Sequence, residues 1–220
     1  DTLSFKSSGN YRKFDTNVDE ADITNDLTFS STNQDKLENI ETDFSLLLRN
    51  NNSYGDLSTT YKNGEDYKIL GSAIYNLKYP LIKKNNYGTN YLTPQASLRY
   101  SPTKGKNLKN EEILMNFERL FSHDRINSQT VEHGTSATLG FEFKSNENQD
   151  VERFNLGMGV NFRNTNDEDL PLSSSLGQKT SDIIGYSGIN ITENLSLNYN
   201  FLINENLKET NYNLLSLNFD

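Results

Sequence analysis

Residues Arg153 to Arg163 read RFNLGMGVNFR. Phe154, Leu156, Met158, Val160 and Phe162 alternate with Asn155, Gly157, Gly159 and Asn161. A two-residue period is the pleat of a β-strand with two unlike faces, here one apolar and one small or polar. A helix repeats every 3.6 residues and would gather neither set on one side.

The same alternation extends in both directions. NLSLNYNFLIN, Asn194 to Asn204, sets Leu195, Leu197, Tyr199, Phe201 and Ile203 against Ser196, Asn198 and Asn200. Apolar stripes recur at the odd positions from Tyr67 to Leu81, at Leu92 to Tyr100, at Ala137 to Phe143, and at Leu215, Leu217 and Phe219. Ile113, Met115, Phe117 and Phe121 continue the pattern, interrupted by Arg119. Weaker strands precede these, at Leu3 and Phe5, Leu27 and Phe29, Phe44 to Leu48, and Leu57 to Tyr61. The pattern predicts about twelve antiparallel strands. DKLENIETDF, Asp35 to Phe44, is the only stretch tempting as a helix.

Composition supports strands. Hydrophobic residues make up 33% of the 220, low for an ordinary core, while 12 Tyr, 12 Phe and many Asn, Ser and Thr suit half-exposed sheets. A net charge of −9 without a sizeable Lys/Arg cluster argues against nucleic acid as a partner. Cysteine is absent, which removes disulfides and thiolate metal sites from this chain. No apolar run approaches the roughly 20 residues of a spanning helix, so a membrane role would fall to strands. The first residues show neither a basic n-region nor an apolar h-region, so a signal peptide is expected to be absent or removed.

Several strands reach the 9 to 11 or so residues with which tilted strands cross a bilayer. Short turns are expected near Asn63–Asp66 and Thr192–Asn194, and longer loops at Ser122–Gly134 and Asn164–Thr180. SPTKGKNLKN spoils a strict alternation of short and long. Two architectures fit. In a transmembrane barrel the apolar face meets lipid and the polar face lines a wet lumen. In a soluble sandwich the apolar face is the core. Periodicity alone does not choose between them.

Candidate chemistry concentrates in FERLFSHDRINSQTVEHGTSATLGFEF, Phe117 to Phe143. His123 and His133 lie ten positions apart without zinc-ligand spacing, and no serine sits in a GxSxG elbow. GMGVNF lacks the third glycine and the following helix of a dinucleotide fingerprint. Asp167, Glu168 and Asp169 lack EF-hand spacing and read as a solvated loop with some capacity for surface cations. No catalytic residue, metal site or cofactor is therefore expected. Arg119 is expected near a membrane interface, where an arginine can snorkel.

The Phe117–Phe143 stretch resembles a segment of the barrel region of the LptD family of lipopolysaccharide-assembly proteins. Phe121, Ser122, Asp124, Arg125, Glu132, Gly134 and Gly140 carry the likeness. YLTPQASLRYSP before it, FNLGMGVNFR after it, and Leu170 to Phe201 follow in family-like order. The resemblance implies a non-enzymatic outer-membrane translocon of a Gram-negative bacterium that inserts lipopolysaccharide into the outer leaflet. It implies a closed barrel of about 26 strands preceded by a periplasmic jelly-roll domain. It also implies a plug lipoprotein of the LptE type and periplasmic bridge proteins as partners.

On that reading residues 1–220 are one interior section of the barrel, without the jelly-roll domain. Asn155, Gly157, Gly159, Asn161, Ser196, Asn198 and Asn200 would face the lumen. Phe154, Leu156, Met158, Val160, Phe162, Leu195, Leu197, Tyr199 and Phe201 would face lipid. The motif stretch would be two strands and a loop, fixed by Asp124, Arg125 and Glu132 or touching the plug. The alternatives are another outer-membrane barrel, such as a porin or solute receptor, and a soluble extracellular β-sandwich.

Overall fold

A computed structural model describes residues 1–35, 39–147 and 151–219. All of its strands belong to one antiparallel sheet: β1 (Thr2–Lys13), β2 (Asp19–Asp35), β3 (Ile40–Asp56), β4 (Gly64–Lys78), β5 (Leu81–Asn85), β6 (Gly88–Ser101), β7 (Gly134–Glu147), β8 (Glu152–Arg163), β9 (Ile183–Thr192), β10 (Leu195–Ile203) and β11 (Thr210–Phe219). Each strand pairs with its neighbour in sequence, apart from β4 and β5, which both pair with β6. Pro80 explains that exception. It has no N–H for the ladder, so it splits one long strand in two, while Tyr79 N–H still reaches Pro94 O at 3.0 Å. The sheet is open, with β1 and β11 as its edges.

Eleven strands form among the described residues where about twelve were expected: two expected strands are loop and one expected stripe is divided at Pro80 into β4 and β5. Leu57 to Tyr61 lie in the connection 57–63, where Ser58 Oγ accepts from the N–H groups of Thr60 and Tyr61 and turns the chain. The stripe at Ile113, Met115, Phe117 and Phe121 is not a strand. It lies in a long connection, residues 102–133, whose only regular element is a 3-10 turn at Phe117–Arg119. Asn116 Oδ1 caps that turn by accepting from Arg119 N–H at 3.0 Å. SPTKGKNLKN belongs to the same connection. The tempting helix fares no better: residues 36–38 lie outside the described part, and Ile40 to Phe44 begin β3.

With these stretches read as loop, the connections among the described residues sort by end. Residues 57–63, 102–133, 164–182 and 204–209 lie at one end of the sheet, with 14–18. Residues 86–87 and 193–194 lie at the other. The turn expected near Asn63–Asp66 therefore shares the end of the long loops.

The two faces differ as the alternation predicts, but burial is the reverse of a soluble core. Leu48 is 51% exposed beside Arg49 at 1%; Leu98 is 56% exposed beside Arg99 at 3%; Leu139 is 52% exposed beside Thr138 at 2%. The apolar face is uncovered and the polar face is covered. The cover is the chain itself: residues 102–133 and 164–182 fold across the polar face of β3 to β10. Leu108, Met115, Phe117, Leu120 and Ile126 of the first loop pack with Leu170 and Leu176 of the second. Ile184 of β9 and Leu202 of β10 complete that cluster.

Candidate functional site: a loop latched to the polar face

The seat for the loop is made by glycines. Gly157 and Gly159 point their missing side chains at it. A Cβ on Gly157 would stand 2.9 Å from Phe117 Cδ1, and one on Gly159 would stand 2.5 Å from Leu120 Cδ2. Two side chains of the 3-10 turn thus sink into a hollow that any larger residue would fill. The Phe117 ring meets Tyr186 of β9 at 5.6 Å and Phe121 at 5.7 Å, edge to face or tilted as aromatic quadrupoles prefer.

Around this apolar plug runs a polar latch built from SHDR, Ser122 to Arg125. Ser122 O accepts from Arg99 of β6. The His123 ring lies between Ser45 Oγ of β3 (2.9 Å) and Ser72 Oγ of β4 (3.1 Å). Asp124 accepts from Arg49 of β3 at 2.8 Å, and the same guanidinium grips Asp26 of β2 through two bonds of 2.7 Å. Arg49 also donates to Thr130 O at 2.9 Å. Arg125 pairs with Glu132 through two bonds of 2.5 Å. It donates further to Ser136 (2.9 Å) and Thr138 (3.1 Å) of β7 and to Asn161 (3.0 Å) of β8. Arg163, at the end of β8, closes the group on Glu132, His133 O and Asp167.

Burial and these charges set the titration of the two loop groups. Burial alone would raise the Glu132 carboxyl, but Arg125, Arg99 and Arg163 outweigh it and hold the group below the usual carboxylate range. Burial, reinforced by Arg99 and Arg49, pushes the His123 imidazole down to about 3, so it is neutral at pH 7.

Asp124, Arg125 and Glu132 thus all pair within this latch. Phe121 lies against Gly140 of β7, where a Cβ would stand 3.1 Å from its ring. Gly134 opens β7 at φ +88°, a backbone conformation that glycine reaches without strain. The Phe117–Phe143 stretch holds one strand, β7, not two. Arg119 is not at a strand end beside lipid; it lies in the loop and lines a cavity of about 620 Å³ on the polar face with Arg49, His123 and Asp124. Asp167 is drawn to Arg163, and Asp169 to Lys104 and Asn107.

Asn155, Gly157, Gly159 and Asn161 share the loop's side of β8. Asn155, Asn198 and Asn200 border an amide-rich cavity of about 320 Å³ with Phe117 and Tyr186. Ser196 lies on the same face nearer the short turns, beside Asn190 and Asn218. Phe154, Leu156, Met158, Val160 and Phe162 lie on the apolar face; the last four stand cross-strand from Phe143, Phe141, Leu139 and Ala137 in β7, and Phe154, opposite Ser145, sets its ring 6.0 Å from that of Phe143. Leu195, Leu197, Tyr199 and Phe201 lie there too, with Tyr199 stacked on Phe201 at 5.5 Å.

Sequence reasoning missed Arg49, Arg99 and Asp26. The first two carried a signal. Each follows a leucine of the apolar stripe and so places a cation on a face otherwise furnished with Ser, Thr and Asn.

No curated protein matches the chain. A family model described as LptD, LPS transport system D, matches residues 72–220, from mid-β4 through the latch to the last strand. That span includes both loops and every strand that packs against their shared apolar cluster. The chain belongs to the LptD family, the outer-membrane proteins of lipopolysaccharide transport and assembly in Gram-negative bacteria.

Proposed function

We propose that residues 1–220 form part of the wall of one outer-membrane β-barrel and that the latched loops fill its lumen near the outer surface. The inverted faces carry this reading. Leucines that a soluble sandwich would bury are half exposed, while arginines and serines beside them are buried. Such a sheet is stable where hydrocarbon covers the apolar side, and strands with fully paired backbones are what hydrocarbon tolerates. The sorted connections supply the orientation. Outer-membrane barrels keep short turns on the periplasmic side and longer loops outside, so residues 102–133 and 164–182 belong to the outer end.

In this arrangement lipopolysaccharide is the substrate. Its saccharide travels on the polar side, where Asn155, Asn198 and Asn200 offer amides and Tyr186 an aromatic face, while acyl chains stay in lipid. No side chain performs covalent chemistry. A plug lipoprotein of the LptE type and bridge proteins on the periplasmic side are the protein partners. The buried Arg125 and Glu132 hold the loop, leaving plug contacts to its exposed residues.

Photo-crosslinking in cells tests the reading. A photoreactive residue at 155, 198 or 200 is expected to give lipopolysaccharide adducts that disappear when ATP is depleted. Adducts confined to positions 156, 158 and 160, indifferent to ATP, would sink the transport route along this wall.

A further inference from the structure

A third cavity lies beyond the latch, at the long-loop end. It is about 330 Å³ and is bounded by β2, β3, the start of β4, and the 57–63 and 102–133 loops. Thr24, Asn51, Thr60 and Gln129 bring hydroxyl and amide groups to its lining, while carbon atoms supply most of the exposed surface. Asn51 donates to Gln129 O, but its own Oδ1 is buried with no donor among the described residues. An unpartnered buried acceptor costs free energy that a ligand hydroxyl would recover.

Charge at this cavity runs against the chain as a whole. The protein carries −9, yet Lys62, Lys68 and Lys106 converge here against Asp22 and Asp66. Asp22 is already occupied, accepting from Tyr61 Oη at 3.0 Å. Lys106 Nζ lies 5.9 Å from the Tyr61 ring centroid and 3.8 Å from Glu111. Among the described residues, Lys62 and Lys68 pair with no carboxylate.

We propose that this cavity binds an anionic oligosaccharide. The hydroxyl and amide lining meets sugar hydroxyls, Asn51 Oδ1 takes one as a donor, Tyr61 supplies the aromatic wall, and Lys62 and Lys68 meet the anionic substituent. Lysines suit that task as mobile point charges rather than fixed forks. The placement on the outer surface rests on the orientation proposed above; the binding chemistry does not.

The test uses the detergent-purified full-length protein with its natural partners. The probe is the deacylated, phosphorylated core oligosaccharide of lipopolysaccharide, followed by calorimetry, with neutral maltoheptaose as comparison. The core oligosaccharide is expected to bind and maltoheptaose to bind at least 10-fold more weakly. K62E/K68E is expected to weaken core binding at least 10-fold, while K83E/K84E, on β5 at the opposite end, leaves it unchanged. Equal binding of the two sugars, no binding of the core, or equal loss in both double variants overturns the proposal. Sidedness is read separately, by labelling a Lys62→Cys variant on intact cells with an impermeant maleimide. Failure to label there breaks the orientation without touching the calorimetry.

Discussion

Two arginine clamps hold the 102–133 loop against the sheet, and they differ in depth. At one, Arg125, Glu132 and Arg163 are each about 2% exposed, and Glu132 is shared between two guanidinium groups. At the other, Arg49 is as deeply buried, but its loop partner Asp124 is 48% exposed, and Asp26 gives Arg49 a second carboxylate. Breaking a fully desolvated pair leaves a stranded charge, whereas breaking a pair with one wet partner leaves a charge that water or a second acid can answer. The deep clamp therefore fixes whether the loop seats at all, and the shallow clamp fixes only how tightly its near edge lies on β2 and β3.

Removing Glu132 should produce the largest effect. In a Glu132→Ala variant Arg125 keeps only neutral partners, at a cost of about 3–5 kcal/mol. Hydrogen exchange across 102–133 in the purified protein should rise to the level of an unanchored loop, while strands β1 and β2 stay protected. A protected loop in that variant would mean the aromatic cluster alone seats it. The next largest effect belongs to the hollow beneath Phe117 and Leu120. A Gly159→Val change puts a Cβ 2.5 Å from Leu120 Cδ2, well inside van der Waals contact, and overpacking of this kind costs about 1–3 kcal/mol. The loop should loosen with both clamps chemically intact, which separates shape from charge.

These two variants also mark what the sequence shows and what it conceals. The strands and their faces were legible, because a period of two over nine or more residues has few other causes. The stretch from Ile113 to Phe121 misled for the same reason. A loop that presses alternate side chains into a surface mimics a strand over nine residues. Its true state depended on Gly157 and Gly159, some forty positions away, and on the capping of a 3-10 turn by Asn116. Reading the Ile113–Phe121 stripe as a strand also hides that the turn at Asn63–Asp66 and the long loops share one end of the sheet. The latch was half legible. Asp124, Arg125 and Glu132 stood out as charges within a motif, but Arg49 and Arg163, which pair with them, and Arg99, which holds Ser122 O, are brought there only by sheet register.

His123 sharpens the comparison through pH, because it lies between Ser45 and Ser72 near the shallow clamp. Its folded pKa of about 3 lies below the ordinary histidine value of 6.5, so the unfolded chain binds a proton that the seated loop refuses. The stabilisation is complete above about pH 6.5 and falls by about 1.4 kcal/mol for each pH unit on descent toward 3. Glu132 titrates below the usual carboxylate range, so its contribution persists until the pH drops under about 4.5. Between pH 6.5 and 4.5 the loss should belong to His123 and disappear in His123→Gln. An unchanged slope in that variant would move the pH sensitivity elsewhere.

Asp124→Asn should give the smallest effect, and its size is the sharpest check on the contrast between the clamps. The amide keeps an acceptor for Arg49 Nη2, Asp26 keeps the guanidinium neutralised, and Thr130 O still accepts from Nη1. Only the Coulombic part of a half-exposed pair is lost, about 1 kcal/mol or less. The change should appear as faster exchange at residues 122–130 alone, and it should shrink in high salt because the lost interaction is screened. An effect as large as that of Glu132→Ala would show that Asp124 is sealed from water when the protein sits in its membrane. The shallow clamp would then be as deep as the other, and another surface would have to cover its open side.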